Sequence, residues 1–138
     1  MSDTGERIAA AARALIGAPF RLHGRDPRTG LDCVGLVALA LRGGGIVADL
    51  DGYALRNASI AGLLAQVPPA FLRKVRSPRA AGDILMCRPG PVQHHLLVAL
   101  DADAVVHTHA GLRRVVCQSG PLPWLIEHHW RARAHIKG

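Results

Sequence analysis

Apolar positions over residues 4–16 recur at the spacing of one helix face: Ile8, Ala11, Ala12 and Leu15 fall at i, i+3, i+4 and i+7. Ser2-Asp3-Thr4 supplies capping chemistry at its start, and Gly17 and Pro19 stop it. A loop rich in Gly, Pro, Asp and Arg follows from Phe20 to Leu31. The stretch from Asp32 to Arg42 is apolar nearly all round, which predicts a central, buried second helix ended by Gly43-Gly44-Gly45. Asn57 can cap a third helix over Ala58–Gln66, terminated by Pro68-Pro69, and a short helical turn is expected around Ala70–Val75.

The period then changes to two. Asp83–Cys87, His94–Leu100, Ala104–His109 and Arg114–Gln118 read as strands separated by Gly, Pro and Asp turns. Leu122–Trp130 is expected as a short helix, and Arg131–Ile136 alternates like a last strand. Helices first and antiparallel strands afterwards predict an α+β fold in a single domain over residues 1–138. Residues 44–78 carry no motif and are expected to form a substrate-side insertion or cap.

The apolar runs, such as Val34–Leu41 and Leu96–Leu100, fall far short of the roughly 18–20 residues that cross a bilayer, so no membrane span is expected. The start of the chain lacks the basic and apolar blocks of a signal peptide, so synthesis and retention in the cytoplasm are expected unless another machine carries the protein out. Three cysteines, Cys33, Cys87 and Cys117, without CxxC spacing argue against a disulfide framework or a common structural zinc site. Cys87 and Cys117 read as buried apolar residues of strands. The net charge of +7 suits an anionic polymer as partner or simply a solvated basic surface. The basic clusters at 21–28, 73–79 and 131–137 lack interleaved aromatics, so no nucleic-acid partner is expected.

Asp32-Cys33-Val34-Gly35-Leu36 is the most informative stretch. It places a thiol at a helix N-terminus, where unpaired N–H groups and the helix dipole favour the thiolate and could stabilise an oxyanion. Asp32 is favourable in the first turn, and Gly35 permits close approach of another backbone or a substrate. Strand alternation separates His94, Leu96, Val98 and Leu100 from His95, Leu97 and Ala99. The bulkier set is expected to meet the main core, and the His95 face to lie near the Cys33 helix. His107 and His109 share one face of the next strand. A thiol, a base and an orienting imidazole can together perform nucleophilic acyl transfer. The same histidines, His94, His95, His107 and His109, are a rival zinc set, though opposite-facing neighbours make it geometrically poor. His23, His128, His129 and His135 read as loop and surface residues.

The segments Ala14-Leu15-Ile16-Gly17-Ala18-Pro19-Phe20-Arg21, Gly24, Leu31-Asp32-Cys33-Val34-Gly35-Leu36-Val37, Ala81-Gly82-Asp83-Ile84-Leu85, His95–Leu100 and Val105-Val106-His107 together resemble the NlpC/p60 family of papain-like cell-wall cysteine peptidases. The resemblance spans most of residues 5–110. It implies a papain-like fold with N-terminal helices on a small antiparallel sheet or half-barrel, and no cofactor or metal. It also implies Cys33 as nucleophile, His95 as base, His107 as the third residue, and Asp32 and Phe20 near the substrate. The implied activity is hydrolysis of amide bonds in peptidoglycan stem peptides. Phe20 stands where many members have Tyr, and it lacks that residue's hydroxyl. Val34 stands where many have Ser. Val34, Leu122-Pro123-Trp124 and Trp130-Arg131 look like the branch found in tailed phages and gene-transfer agents, which implies phage-tail or particle proteins as partners and delivery to the wall by the particle. The alternatives are a catalytically silent tail or assembly protein on the same fold, and a related amidase or acyltransferase.

Overall fold

The computed structural model describes residues 3–47, 72–90 and 93–133. Helix α1 (Asp3–Ala14) buries Ile8, Ala9 and Ala12, and the chain then turns through Gly17. Two short strands, β1 (Arg25–Asp26) and β2 (Gly30–Leu31), pair with each other and lead directly into α2 (Cys33–Gly43). Helix α2 buries Cys33, Val34, Gly35, Leu36, Val37, Ala40 and Leu41, as its all-round apolar pattern requires. Its pairing with α1 is close: a Cβ on Gly43 would stand 2.4 Å from the Ala11 Cβ, so only glycine fits at this crossing.

The remaining strands are β3 (Leu72–Lys74), β4 (Ile84–Gly90), β5 (Gln93–Ala99), β6 (Ala104–His109), β7 (Arg114–Ser119) and β8 (Ile126–Ala132). They form an antiparallel six-stranded sheet in the order β3-β8-β4-β5-β6-β7. The fold is therefore α+β, and among the described residues two helices lie against the six-stranded sheet. Among the described residues no helix is long and apolar enough to cross a membrane.

The pleat divides the apolar side chains into two layers. Ile84, Met86, Leu96, Val98, Leu100, Val106, Val115 and Trp130 face α1 and α2 and close the main core. Leu85, Cys87, Leu97 and Val105 face the other way, under Leu122, Trp124 and Ile126. Each fully buried Leu or Ile contributes about 1.5–3 kcal/mol, so the first layer dominates stability.

Three expectations are corrected. Residues 72–74 form an edge strand paired with β8, not a helical turn. Residues 122–125 are irregular and 126–132 are strand β8, not a helix. Both corrections have one cause: β4 pairs with β5 on one side only, and its other backbone edge is satisfied by β8, which recruits β3 in turn. Sheet pairing overrides a local pattern that suited either state. Cys117 is exposed rather than buried, whereas Cys87 is buried. The predicted third helix, 58–66, lies outside the described residues, as do residues 70 and 71 of the expected turn, residues 48–71 of the expected cap and residues 134–136 of the expected terminal strand.

Candidate active site

Asp32 is the N-cap of α2, and its Oδ1 accepts from the Gly35 N–H at 2.9 Å. The carboxylate also takes the His23 N–H at 2.8 Å and the Arg25 guanidinium at 3.0 Å, while its side chain is 0% exposed. It thus ties the loop before the helix to the first turn, and presents no surface for direct contact with a substrate. Gly35 serves the same junction. A Cβ there would stand 2.2 Å from the Gly24 carbonyl oxygen, so the loop can lie against the helix only over a glycine. Phe20 is partly buried beside the same segment, its N–H bonded to the Arg113 carbonyl at 2.9 Å and its backbone bridged to Leu31.

Cys33 opens the helix and is 3% exposed. Burial pushes its thiol up to about 12; the Leu96 backbone N–H acts in the opposite direction, and the Asp32 carboxylate adds to the rise. This corrects the expectation of a depressed thiol. The helix terminus is present, but desolvation of the anion outweighs it. The Leu96 contact also locates the sulfur. Ala99 N–H bonds toward β4 and Leu100 N–H toward β6, so Leu96 N–H, on the Leu100 side, points toward β6. The β5–β6 register consists of Val98↔Val106 and Ala99↔Val105 and stops short of Leu96. The sulfur is therefore held at the β6-facing edge of β5, one residue from His95.

His95 lies on the sheet face away from the helices, against Trp124. This reverses the expected facing, because α2 packs on the bulkier Leu96, Val98 and Leu100. Its Nε2 is 2.9 Å from His107 Nδ1, and His107 Nε2 is 2.9 Å from Gln118 Oε1. His107 is 2% exposed. The Trp124 ring stands edge-on to both imidazoles, at 5.9 Å from His95 and 5.6 Å from His107. Burial lowers His95 to about 3, with His107 and His109 adding to the effect. Burial also lowers His107, against the Gln118 bond, so both rings rest neutral. Among the described residues no hydrogen bond joins the Cys33 sulfur to the His95 ring.

His109 sits one pleat further along, its ring 6.0 Å from His107, and accepts the Leu112 N–H at 3.0 Å to close the β6–β7 turn. His107, not His109, bonds His95. His94 faces the other way, 3.7 Å from Glu127. Among the described residues no group of three or more His, Cys, Asp or Glu side chains is placed to hold a metal ion, so the four-histidine zinc set is not assembled. His129 is no free surface residue: with Arg131 it binds the fully buried Asp83, at 2.6 Å from His129 and 2.9 Å from Arg131.

Gln118 was not singled out from sequence, and Trp124 entered only with Leu122-Pro123 as a mark of the phage-type branch, without a site role. Alternation along β7 was a usable signal for Gln118, which pairs opposite Val105 on the His107 side of the sheet. No pattern marks Trp124, which reaches the site from an irregular segment.

No family model matches the chain, and no curated protein matches its sequence. Solved structures do match. The chain is similar to NlpC2 from Trichomonas vaginalis (TM-score 0.69, 18% identity, 93% of this chain and 48% of that one). It is similar to the NlpC/p60 domain of the peptidoglycan hydrolase SagA (TM-score 0.59, 26% identity, 83% of this chain and 88% of that one). It is also similar to the P60 domain of an antigen from M. avium subspecies paratuberculosis (TM-score 0.61, 18% identity, 94% of both chains). The chain spans about half the length of the Trichomonas protein. These likenesses establish that the fold is that of NlpC/p60 domains.

Proposed function

We propose that this chain is a cysteine peptidase that hydrolyses amide bonds in peptidoglycan stem peptides, with Cys33 as nucleophile, His95 as base and His107 as the residue that orients it. The observation that carries the reading is the 2.9 Å bond between His95 and His107 one residue from the Leu96 N–H that faces the Cys33 sulfur. The substrate class rests on the likeness to the SagA domain, a domain of a peptidoglycan hydrolase.

The chemistry follows from a neutral resting site. The Cys33 thiol passes its proton to His95 Nδ1 as sulfur attacks the carbonyl carbon. The N–H groups of Cys33 and Val34 precede the first intrahelical bond of α2, Leu36 N–H to the Asp32 carbonyl at 3.0 Å, and can receive the oxyanion. Collapse breaks the C–N bond, and His95 gives its proton to the leaving amine. Water, deprotonated by His95, then cleaves the thioester and restores the thiol.

The test is digestion of purified peptidoglycan with the wild type and Cys33→Ala, followed by mass spectrometry of released fragments. New amino termini from the wild type alone support the reading. Equal release by both proteins removes Cys33 from the mechanism. One observation favours the second reading, a catalytically silent protein on this fold: Cys33 is only 3% exposed. A folded wild type that releases nothing from walls of several peptide types would select it.

A further inference from the structure

A chain of two hydrogen bonds, from Gln118 through His107 to His95, has a direction. Gln118 turns its carbonyl oxygen, Oε1, toward His107 Nε2 at 2.9 Å. A carbonyl oxygen only accepts, so His107 carries its proton on Nε2. Neutral His107 then has a bare Nδ1, which can only accept, and it stands 2.9 Å from His95 Nε2. His95 must therefore carry its proton on Nε2 as well. Its Nδ1 is left with a free lone pair, the form a base requires. The opposite arrangement fails at the Gln118 contact. A proton on His107 Nδ1 would be donated to His95 Nε2, put the His95 proton on Nδ1, and leave the lone pair of His107 Nε2 facing the lone pairs of Oε1.

We propose that Gln118 is the positioning residue that sets the tautomers of both imidazoles and so keeps His95 Nδ1 free to take the thiol proton. The assignment rests on the reading of His95 as the base. His107 alone cannot make the choice, because either of its ring nitrogens can hold the proton. With its carbonyl oxygen turned to the ring, the Gln118 amide decides; turned over, it would donate to Nε2 and reverse both tautomers. Strand geometry makes the contact firm: Gln118 pairs with Val105 and His107 with Val116, so the amide reaches the ring diagonally along one face of β6 and β7. Trp124 lies edge-on to both rings, and His107 is 2% exposed, so little water reaches its ring to compete with the amide. The other titratable group facing His107 is His109, whose Nδ1 is occupied by the Leu112 N–H.

The test separates this role from a packing role by chemistry at one atom. Gln118→Met keeps length and removes the acceptor. Gln118→Glu keeps an acceptor that cannot turn to donate. Two-bond 1H–15N correlation spectra of the ring nitrogens read the tautomers directly in the resting, folded protein. The wild type at neutral pH, and Gln118→Glu at alkaline pH where its His107 is neutral, are expected to show His95 and His107 protonated on Nε2. Gln118→Met is expected to show a mixture, at an unchanged unfolding midpoint or after correction for any change. If peptide release is observed, Gln118→Met should lower kcat with little change in KM. The expected loss is about ten- to a hundredfold, well short of the roughly 10⁴-fold known for a directly bonded orienting group that imposes the wrong tautomer. Gln118→Glu should restore the rate at alkaline pH and move the acid limb upward, because its carboxylate stabilises the His107 cation. A wild type protonated on Nδ1, or identical spectra for the wild type and Gln118→Met, overturns the assignment. Correct tautomers in a protein that cuts no peptidoglycan would overturn the proposed substrate and leave the Gln118 assignment standing.

Discussion

Reactivity of Cys33 toward a thiol-directed electrophile is the sharpest measure of the resting site. Burial moves the thiol from 9.0 to about 12, three pH units. At 1.36 kcal/mol per unit, forming the free thiolate in the resting protein costs about 4 kcal/mol more than in an unstructured cysteine. Near pH 8 that corresponds to about a thousandfold fewer thiolates. The neighbouring ring offers little relief, since burial also holds His95 neutral down to about 3. Transferring the proton to His95 at rest would require charging two groups that burial keeps neutral. The exposed Cys117 serves as an internal reference, and the buried Cys87 as a second slow site. The assay is iodoacetamide alkylation of native protein from pH 6 to 10, with site-resolved mass spectrometry. Cys117 should react first. The Cys33 rate should climb about tenfold per pH unit through this range, with no plateau. A Cys33 plateau already reached below pH 7 would show a preformed thiolate–imidazolium pair. The argument that desolvation outweighs the helix terminus would then be wrong.

Other substitutions probe the supports of the site. Asp32→Ala removes the cap of α2 and the carboxylate that Arg25 and the His23 N–H bind; a loss of roughly 2 kcal/mol is expected in urea titrations, and an unchanged midpoint would mean that the first turn is held otherwise. Gly35→Ala forces Cβ against the Gly24 carbonyl oxygen, so the loop must move off the helix; a measurable drop in melting temperature is expected together with faster alkylation of Cys33. Burial lowers His95, so below about 6.5 the unfolded chain takes up a proton that the folded chain refuses. Stability is therefore present above that value and lost as pH falls toward 3. About 1–2 kcal/mol should be gone by pH 5, allowing for the partly exposed ring, and His95→Gln should remove that part of the slope. For Asp83, burial alone would raise the carboxyl, but bonds from Arg131, His129 and the Ala80 N–H pull it below its ordinary 3.8. Its stabilisation is thus full at neutral pH and lost as pH falls below that value. Asp83→Asn should cost about 2–4 kcal/mol at pH 7 by equilibrium unfolding, because it leaves the partly exposed Arg131 without its ion partner.

Much of this architecture was legible in sequence, for identifiable reasons. The buried second helix was visible because an apolar run bounded by Asp32 and three glycines has few other forms. The strands over 83–87, 94–100, 104–109 and 114–118 were visible because alternation and turn residues agreed. Residues 72–74 and 126–132 were misread because their state is decided by the open edge of β4, a partner far away in the chain. The facing of His95 was misread for a related reason. Alternation correctly separated His94 from His95, but the side of the sheet that α2 would cover depended on the bulk of Leu96, Val98 and Leu100. The raised thiol was hidden too, since a helix start can be read from residue types while its depth depends on what packs over it.

These misreadings point to how the site is built. The Cys33 sulfur and the imidazoles belong to opposite layers of one sheet, the sulfur with the helix-side core and the rings with the Leu97 and Trp124 side. They can meet only at a strand edge, and β5 has such an edge where its pairing with β6 stops short of Leu96. Had β6 remained paired to the end of β5, the Leu96 N–H would bond a β6 carbonyl and be lost to the sulfur. Closing that seam should therefore silence Cys33 without touching a reacting atom. A disulfide between paired cysteines replacing Leu96 and Thr108, the positions the register would bring opposite one another, is the direct way to close it. In the oxidised state Cys33 should become inert to alkylation, and reduction should restore the reaction. Undiminished alkylation with the cross-link formed would mean that the sulfur is reached from elsewhere, and that the seam is not the active site.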